Sequence, residues 1–321
     1  MMAMNAKALL SALLTSAAIG AAPPPAPPAL EKVEVRQLQM GVMATLTVFA
    51  HDADAARAAC GRAFARVLEL NSVLSDYDPT SELRQLIAQA GRGPQPASPD
   101  LLLVLGHART VAEQTGGQLD PTVGPLVQLW REARRARALP DPAQLAAARA
   151  RTGFAHLHLD PAGRTITLDR PGMKLDLGAV AKGYEGDEAL RVLREAGYPV
   201  AMFEAGGDTV FGEPPPGAAG WPVEFPWTNQ PLRHLANCAL SVSGDTVQYV
   251  EIGGRRYSHV VDPSTGCGLT NRLLCVVQAP RGLISDPLST AGTLMPEAAF
   301  RALLARHYPE VRAWVEPAPP E

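Results

Sequence analysis

Residues 175–187 read Leu175-Asp176-Leu177-Gly178-Ala179-Val180-Ala181-Lys182-Gly183-Tyr184-Glu185-Gly186-Asp187. The alternation of Met173, Leu175 and Leu177 predicts a strand, which carries Asp176 into a turn of small residues: Gly178, Ala179, Ala181 and Gly183. Ala189, Leu190 and Leu193 then recur at helical spacing, and Gly197 predicts the helix stop. Glycines at a strand-to-helix turn let backbone N–H groups close on an anion, and a helix N-terminus favours negative charge. Lys182 adds a cation beside the turn. The segment reads as the centre of a site for a phosphorylated ligand. It is not a Walker loop, because Lys182 precedes Gly183 and no Gly-Lys-Ser/Thr occurs there.

Downstream, residues 199–211 predict a buried strand with a Gly206-Gly207 turn at its exit, followed by Asp208. Strands are predicted at 221–225 and 238–242, a hairpin at 249–260 around Gly253-Gly254, and a strand at 273–278. Ser285-Asp286-Pro287 predicts a helix start, with Pro287 in the favoured first turn and Thr290 inside. A helix at 297–305 and a strand at 311–315 follow. Upstream, 156–168 predicts a hairpin broken at Pro161-Ala162-Gly163, and 142–150 a helix with a solvated face. Pro121, Gly124 and Pro125 stiffen 118–126 into a specified loop. Helices are predicted at 98–115, 80–86 and 53–74, and one strand at 33–50 interrupted at Gly41. Strands and helices mix without strict βαβ alternation. This predicts an α+β fold, with mixed or antiparallel sheets and flanking helices, over a doubly wound one.

The 321 residues suffice for one large core or two smaller ones. A net charge of −3 gives no electrostatic footprint for nucleic acid, so no nucleic-acid partner is expected. Lys7, the apolar run 8–19 and small residues 20–22 have the layout of a secretory signal peptide over residues 1–22. Residues 23–32 read as a Pro-rich tether and 33–321 as the folded domain, with room for two subdomains around a site. The leader layout predicts an exported protein. No Cys stands near the cleavage site to accept a lipid, and no twin-Arg signal is present. Cys60, Cys238, Cys267 and Cys275 form no Cys-x-x-Cys pair, which argues against zinc. Four isolated buried thiols, or one disulfide among the last three, remain open.

Asp286 and Thr290, spaced i and i+4, share one helix face with Ser289 nearby. A carboxylate plus a hydroxyl suits Mg²⁺, which completes its octahedron with waters and substrate phosphates. The same Ser285 or Asp286 is equally an N-cap. His259, before Asp262-Pro263, is either an acid–base group near neutral pH or a pin for the turn. Tyr77 either stacks on a planar ligand or packs on the surface.

The ordered set of motifs resembles the ApbE family of FAD:protein FMN transferases. It comprises Met40-Gly41; Leu-Ser-x-Tyr and Ser-Glu-Leu around Tyr77; Leu-Asp-Pro-Thr-Val-Gly-Pro-Leu leading to Trp130; and the 176–184 turn. Gly-Gly-Asp, Ser-Gly-Asp, Tyr-Ser-His-Val-Val-Asp-Pro-Ser-Thr-Gly and the late Asp286-x-x-x-Thr290 complete it. The match runs from about residue 33 to about residue 304. The resemblance implies a Mg²⁺-dependent enzyme that cleaves the FAD pyrophosphate, moves FMN to a Thr or Ser hydroxyl of a target protein and releases AMP. It implies that Met40, Tyr77, Gln118, Leu119, Asp120, Asp176, Lys182 and Val261 line the FAD site. Ala179, through its carbonyl, with Asp286, Ser289 and Thr290, would bind Mg²⁺, and His259 would be the base. The implied partner is a periplasm-facing acceptor flavoprotein such as a redox-complex subunit. Ser289 stands where Ala or Asp is common in the family, and the lipid-accepting Cys of many members is missing. Competing readings are a Mg²⁺-dependent FAD pyrophosphatase and a non-catalytic flavin-binding protein of the envelope.

Overall fold

The computed structural model describes residues 30–39, 41–224, 232–245 and 248–318. Met40, the predicted leader 1–22 and the Pro-rich run that follows it lie outside the described residues. In place of one interrupted strand, 33–50 holds two: β1 (Glu31–Gln39) and β2 (Val42–Ala50), paired antiparallel from Glu31 opposite Ala50 to Gln39 opposite Val42. Gly41 adopts a φ of 75°, which a residue with a Cβ rarely does, and so allows the reversal between them. β1 also takes in residues 31 and 32, which the sequence places in the tether.

α1 (Ala53–Leu74) is capped by Asp52, whose carboxylate accepts from the N–H groups of residues 54 and 55. Ala59, Phe64, Val67 and Leu70 give α1 its buried face. α2 (Glu82–Ala88) and α3 (Pro99–Gln114) start at Ser81 and Ser98, each accepting from the N–H three residues on. β3 (Gln95–Pro96) lies between them. α4 (Gly124–Ala136) begins inside the stretch predicted as loop, because Pro125 suits the first helical turn as well as it stiffens a loop. α5 (Pro142–Arg149), β4 (Leu157–Asp160) and β5 (Thr165–Leu168) agree with the sequence reading.

The predicted strand before the central turn does not form. Residues 173–177 are extended but make only an isolated parallel bridge, Val123 to Lys174, because Met173, Leu175 and Leu177 are buried among helices with no ladder partner alongside. α6 (Ala181–Glu195) follows, then β6 (Ala201–Ala205) and β7 (Asp208–Phe211), a hairpin about Gly206-Gly207 where one strand was predicted. β8 (Trp221–Val223), β9 (Arg233–Leu235), β10 (Cys238–Ser243), β11 (Tyr249–Ile252), β12 (Arg255–Ser258) and β13 (Leu273–Ala279) precede α7 (Gly282–Leu294), α8 (Glu297–His307) and β14 (Arg312–Pro317).

The described strands of the main sheet run β1-β2-β6-β7-β10-β13-β14, every neighbouring pair antiparallel. Alternation along β13 sorts its faces: Cys275, Val277 and Ala279 pack against α7 and α8, while Leu274 and Val276 join Trp221 and Leu235 of the β8–β9 hairpin on the other face. The helical layer thus covers one face and the small hairpin part of the other. This is α+β, with the sheets antiparallel rather than mixed. Among the described residues no helix is long and apolar enough to cross a membrane. All four cysteines are free thiols.

Candidate functional site

α6 and α7 cross at a pair of glycines. A methyl group on Gly183 would overlap the Gly282 carbonyl oxygen, and one on Gly282 would overlap that of Gly183. The backbones can meet only because neither residue has a Cβ. Asp187, one turn along α6, accepts from the N–H groups of Gly282 (2.7 Å) and Leu283 (3.1 Å), so α6 caps α7 in space. This moves the α7 start ahead of Ser285-Asp286 and places Pro287 inside the helix, not in its first turn.

The crossing sets Asp286 beside the start of α6. Its carboxylate is buried, accepts from the Gly183 N–H (3.1 Å) and lies 3.6 Å from Lys182 Nζ, which pairs more closely with Asp208 (2.6 Å). Burial, then Asp208, pushes the Asp286 pKa up to about 7, with Lys182 opposing. For Lys182, burial would favour the neutral amine, but Asp208 and Asp286 outweigh it and hold the ammonium charged. Glu185, one turn from Lys182, is buried, and burial pushes its pKa well above the usual carboxyl range. Its Oε2 has no hydrogen-bond partner among the described residues, and nothing in the structure explains it.

β10 supplies the opposite wall. Ser241 Oγ lies 2.8 Å from Ser285 Oγ, and Ser243 Oγ lies 2.8 Å from Ser289 Oγ and 3.0 Å from Thr290 Oγ1. Two residues along a strand and four along a helix advance by similar distances, so the hydroxyls meet in register. Ser289 Oγ also donates to the Asp286 carbonyl (2.8 Å), which orients the hydroxyl and leaves its oxygen lone pairs able to accept. The Gly183 N–H, which a helix would direct to the carbonyl of residue 179, donates to Asp286 instead, so Ala179 O lacks that helical partner. Asp286, Thr290 and the Ala179 carbonyl are hard oxygen donors, and Asp286 is a buried carboxylate in deficit of positive charge; this donor set fits Mg²⁺.

A second cluster adjoins the first. The Asp176 N–H donates to the Pro121 carbonyl (2.8 Å), fastening the 118–123 loop to the central turn. Asp176 Oδ1 accepts from the Gly178 N–H (2.8 Å) and Oδ2 from Arg131 of α4 (3.0 Å). Arg131 also pairs with Asp76 and lies 4.3 Å from the centre of the Tyr77 ring. The Tyr77 loop is fixed locally: Ser75 Oγ accepts from the N–H groups of Tyr77 and Asp78, and Ser81 Oγ donates to the Ser75 carbonyl. Tyr77 remains largely exposed.

The third part is the end of β12. Trp130 Nε1 donates to the Ser258 carbonyl (3.0 Å), holding α4 against that strand. His259 bonds through Nδ1 to the Gln248 carbonyl (3.2 Å), which fixes the Nδ1–H tautomer and leaves Nε2 as an acceptor. Burial lowers its pKa, and the positive charges of Arg134 and Lys182 act in the same direction. Asp262 spends its carboxylate on the Ser264 N–H, in its own turn.

Lys182, Asp286, Thr290, Ala179, Asp176, Tyr77 and His259 thus converge from four segments. Four further expected lining residues have the following surroundings. The Asp120 carboxylate is buried and spent on the Thr122 N–H and hydroxyl and on the Phe154 N–H. Val261 packs in the Trp130 cluster. Leu119 leans on the α7–α8 cluster, while Gln118 is half-buried in its loop. Asp208, Arg131, Ser243 and Gly282 belong to the site but were not singled out for these roles. Asp208 follows the Gly-Gly turn, the one signal that could have drawn attention to it.

Known proteins resemble this chain over most of its length. The ApbE family model matches residues 40–315. An FAD:protein FMN transferase of Klebsiella pneumoniae (strain 342) is 30% identical over 304 residues, 91% of this chain and 87% of that protein. One of Treponema pallidum (strain Nichols) is 31% identical over 298 residues, 86% of this chain and 82% of that protein. Among solved structures, the flavin transferase ApbE from Vibrio cholerae superposes with a TM-score of 0.76 at 28% identity, covering 89% of this chain and 93% of that one. Pseudomonas stutzeri flavinyl transferase ApbE, apo form, gives 0.78 at 27% identity, covering 89% and 91%.

Proposed function

The chain belongs to the ApbE family, and from that premise we infer that it is an FAD:protein FMN transferase. The observation that carries the reading is the meeting of Lys182, Asp208 and Asp286 beside a histidine whose Nε2 is free to accept a proton. The acceptor is a Thr or Ser hydroxyl of a second protein. Its oxygen forms a bond to the FMN phosphorus, the bond from that phosphorus to the bridging oxygen breaks, and AMP departs. His259 Nε2 takes the hydroxyl proton. Tyr77 offers a ring face to the flavin, and Arg131 holds that ring and Asp176 in place. Lys182 orients Asp286 while Asp208 keeps the ammonium from collapsing onto it. Asp286, Thr290 and the Ala179 carbonyl would hold Mg²⁺, which supplies neutralisation of the pyrophosphate charge. The leader pattern of residues 1–22 supports an exported enzyme acting on a periplasm-facing flavoprotein.

The test incubates the protein with FAD, Mg²⁺ and a polypeptide bearing an acceptor Thr. Flavin fluorescence that survives a denaturing gel is expected, and it should vanish in excess EDTA. Release of free FMN alone would replace transfer by hydrolysis. Asp286→Asn keeps an acceptor for the Gly183 N–H but removes the charge. It should abolish transfer with an unchanged melting profile; full activity would overturn the metal assignment.

A further inference from the structure

α4 carries two arginines on the face that meets the site, and among the described residues only one of them is paired. Arg131 is committed to Asp76, Asp176 and the Tyr77 ring. Arg134 lies three residues after Arg131 and four after Trp130, so it stands on the same helix face, one turn nearer the C-terminal end. That face runs between two parts of the site. Arg131 ties it to the Tyr77 loop, and Trp130, bonded to the Ser258 carbonyl, ties it to the strand that ends at His259. Arg134 is half-buried, and its guanidinium makes no hydrogen bond or ion pair among the described residues. Its charge is felt at both Tyr77 and His259. Of the two cations that act on His259, Lys182 is held by Asp208 and Asp286, which leaves Arg134 uncommitted.

We propose that Arg134 receives a phosphate of the flavin dinucleotide. The assignment rests on the flavin-transferase reading of the same site. A half-buried guanidinium without a carboxylate partner is poorly solvated, and a phosphate offers it the two-pronged acceptor that carboxylates give Arg131. The cleft is otherwise rich in carboxylates (Asp76, Asp176, Asp208 and Asp286), so an incoming pyrophosphate needs a cation of the protein's own besides any metal. Placed between the Tyr77 ring and His259, Arg134 would hold the pyrophosphate near the base and balance charge on the departing AMP.

The test measures equilibrium binding of FAD, ADP and riboflavin in EDTA, to the wild-type protein, Arg134→Gln and Arg134→Lys. Arg135→Gln serves as a control from the same exposed helix end. Arg134→Gln should weaken FAD and ADP by about ten- to a hundredfold, the worth of a charge-assisted hydrogen bond, and leave riboflavin unchanged. Arg134→Lys should recover part of the loss, and Arg135→Gln should bind all three as wild type does. Equal weakening of all three ligands by Arg134→Gln would make Arg134 a structural residue, and unchanged FAD and ADP binding would remove it from the site; either overturns the proposal. A wild-type protein that binds none of the three either in EDTA or with Mg²⁺ restored would instead overturn the flavin-transferase reading.

Discussion

His259 shows how a single side chain acquires a role that its sequence position leaves open. The Gln248 carbonyl takes the Nδ1 proton, so the neutral ring presents Nε2 as a base. Burial and nearby cations lower its pKa from the ordinary value of 6.5, so the neutral form persists to lower pH than for a free imidazole. A base works only unprotonated, hence activity should hold as pH falls to that value and decline below it. His259→Ala should cost about 10²- to 10⁴-fold in turnover and abolish the acidic limb of the pH–rate profile, while FAD binding is retained. An unchanged profile would remove His259 from the chemistry. At the same scale, Ser289 sits one residue from Thr290, and its hydroxyl is oriented by donating to the Asp286 carbonyl and by meeting Ser243, as Thr290 also does.

Among the elements, α6 has the most to hold together. Ala189 and Leu193 belong to the core beneath the sheet, Ala181 and Tyr184 to the core around α2 and α3, and Gly183 and Asp187 to the contact with α7. Arg66 of α1 joins this assembly by pairing with Asp100 of α3 (2.6 Å) and Glu188 of α6 (2.9 Å), and Tyr184 donates to the same Asp100 (2.7 Å). Burial would raise the pKa of both carboxyls. For Asp100, Arg66 and Tyr184 outweigh it; for Glu188, Arg191 and Arg66 do, so both values fall. A lowered folded-state pKa gives stability that is present above the unfolded value of about 4 and lost as pH falls through the folded value. Arg66→Ala removes the cation shared by Asp100 and Glu188, leaving Asp100 to Tyr184 and Glu188 to Arg191. It should cost about 1–2 kcal/mol at pH 7 by denaturant unfolding, less than a fully buried pair because all three groups keep some solvent. The cost should shrink below pH 4; an equal cost at both pH values would show that lost packing, not charge, was measured.

For the whole molecule, the described residues place β1 at one edge of the sheet, with residue 30 leading into it. A leader removed after residue 22 would therefore leave a short Pro-rich connection before the first ladder bond at Glu31. The prediction is that the exported form begins near residue 23 and fractionates with the periplasm, which N-terminal sequencing of the fractionated protein checks; an intact N-terminus in the cytoplasm would refute export.

Much of the fold was legible because it is written locally. Ser81 and Ser98 cap the helices they precede, α1 has the predicted bounds, and Gly197 stops α6, since periodicity and capping act within a few residues. The short-range sequence also marked Asp176, Lys182, Asp286, Thr290 and His259 as polar groups at turns and on one helix face. It could not show that Asp187 caps a helix 95 residues away, and so misplaced the start of α7. Nor could it show that Gly183 and Gly282 let two backbones touch, that Asp208 is the partner of Lys182, or that Arg131, unlike Arg134, is paired among the described residues. Each of those facts is a contact between segments distant in the chain. The sequence by itself determined which groups carry charge and where the chain turns; only the tertiary structure decided which charges meet, because burial and pairing are properties of the packed chain and not of any stretch of it.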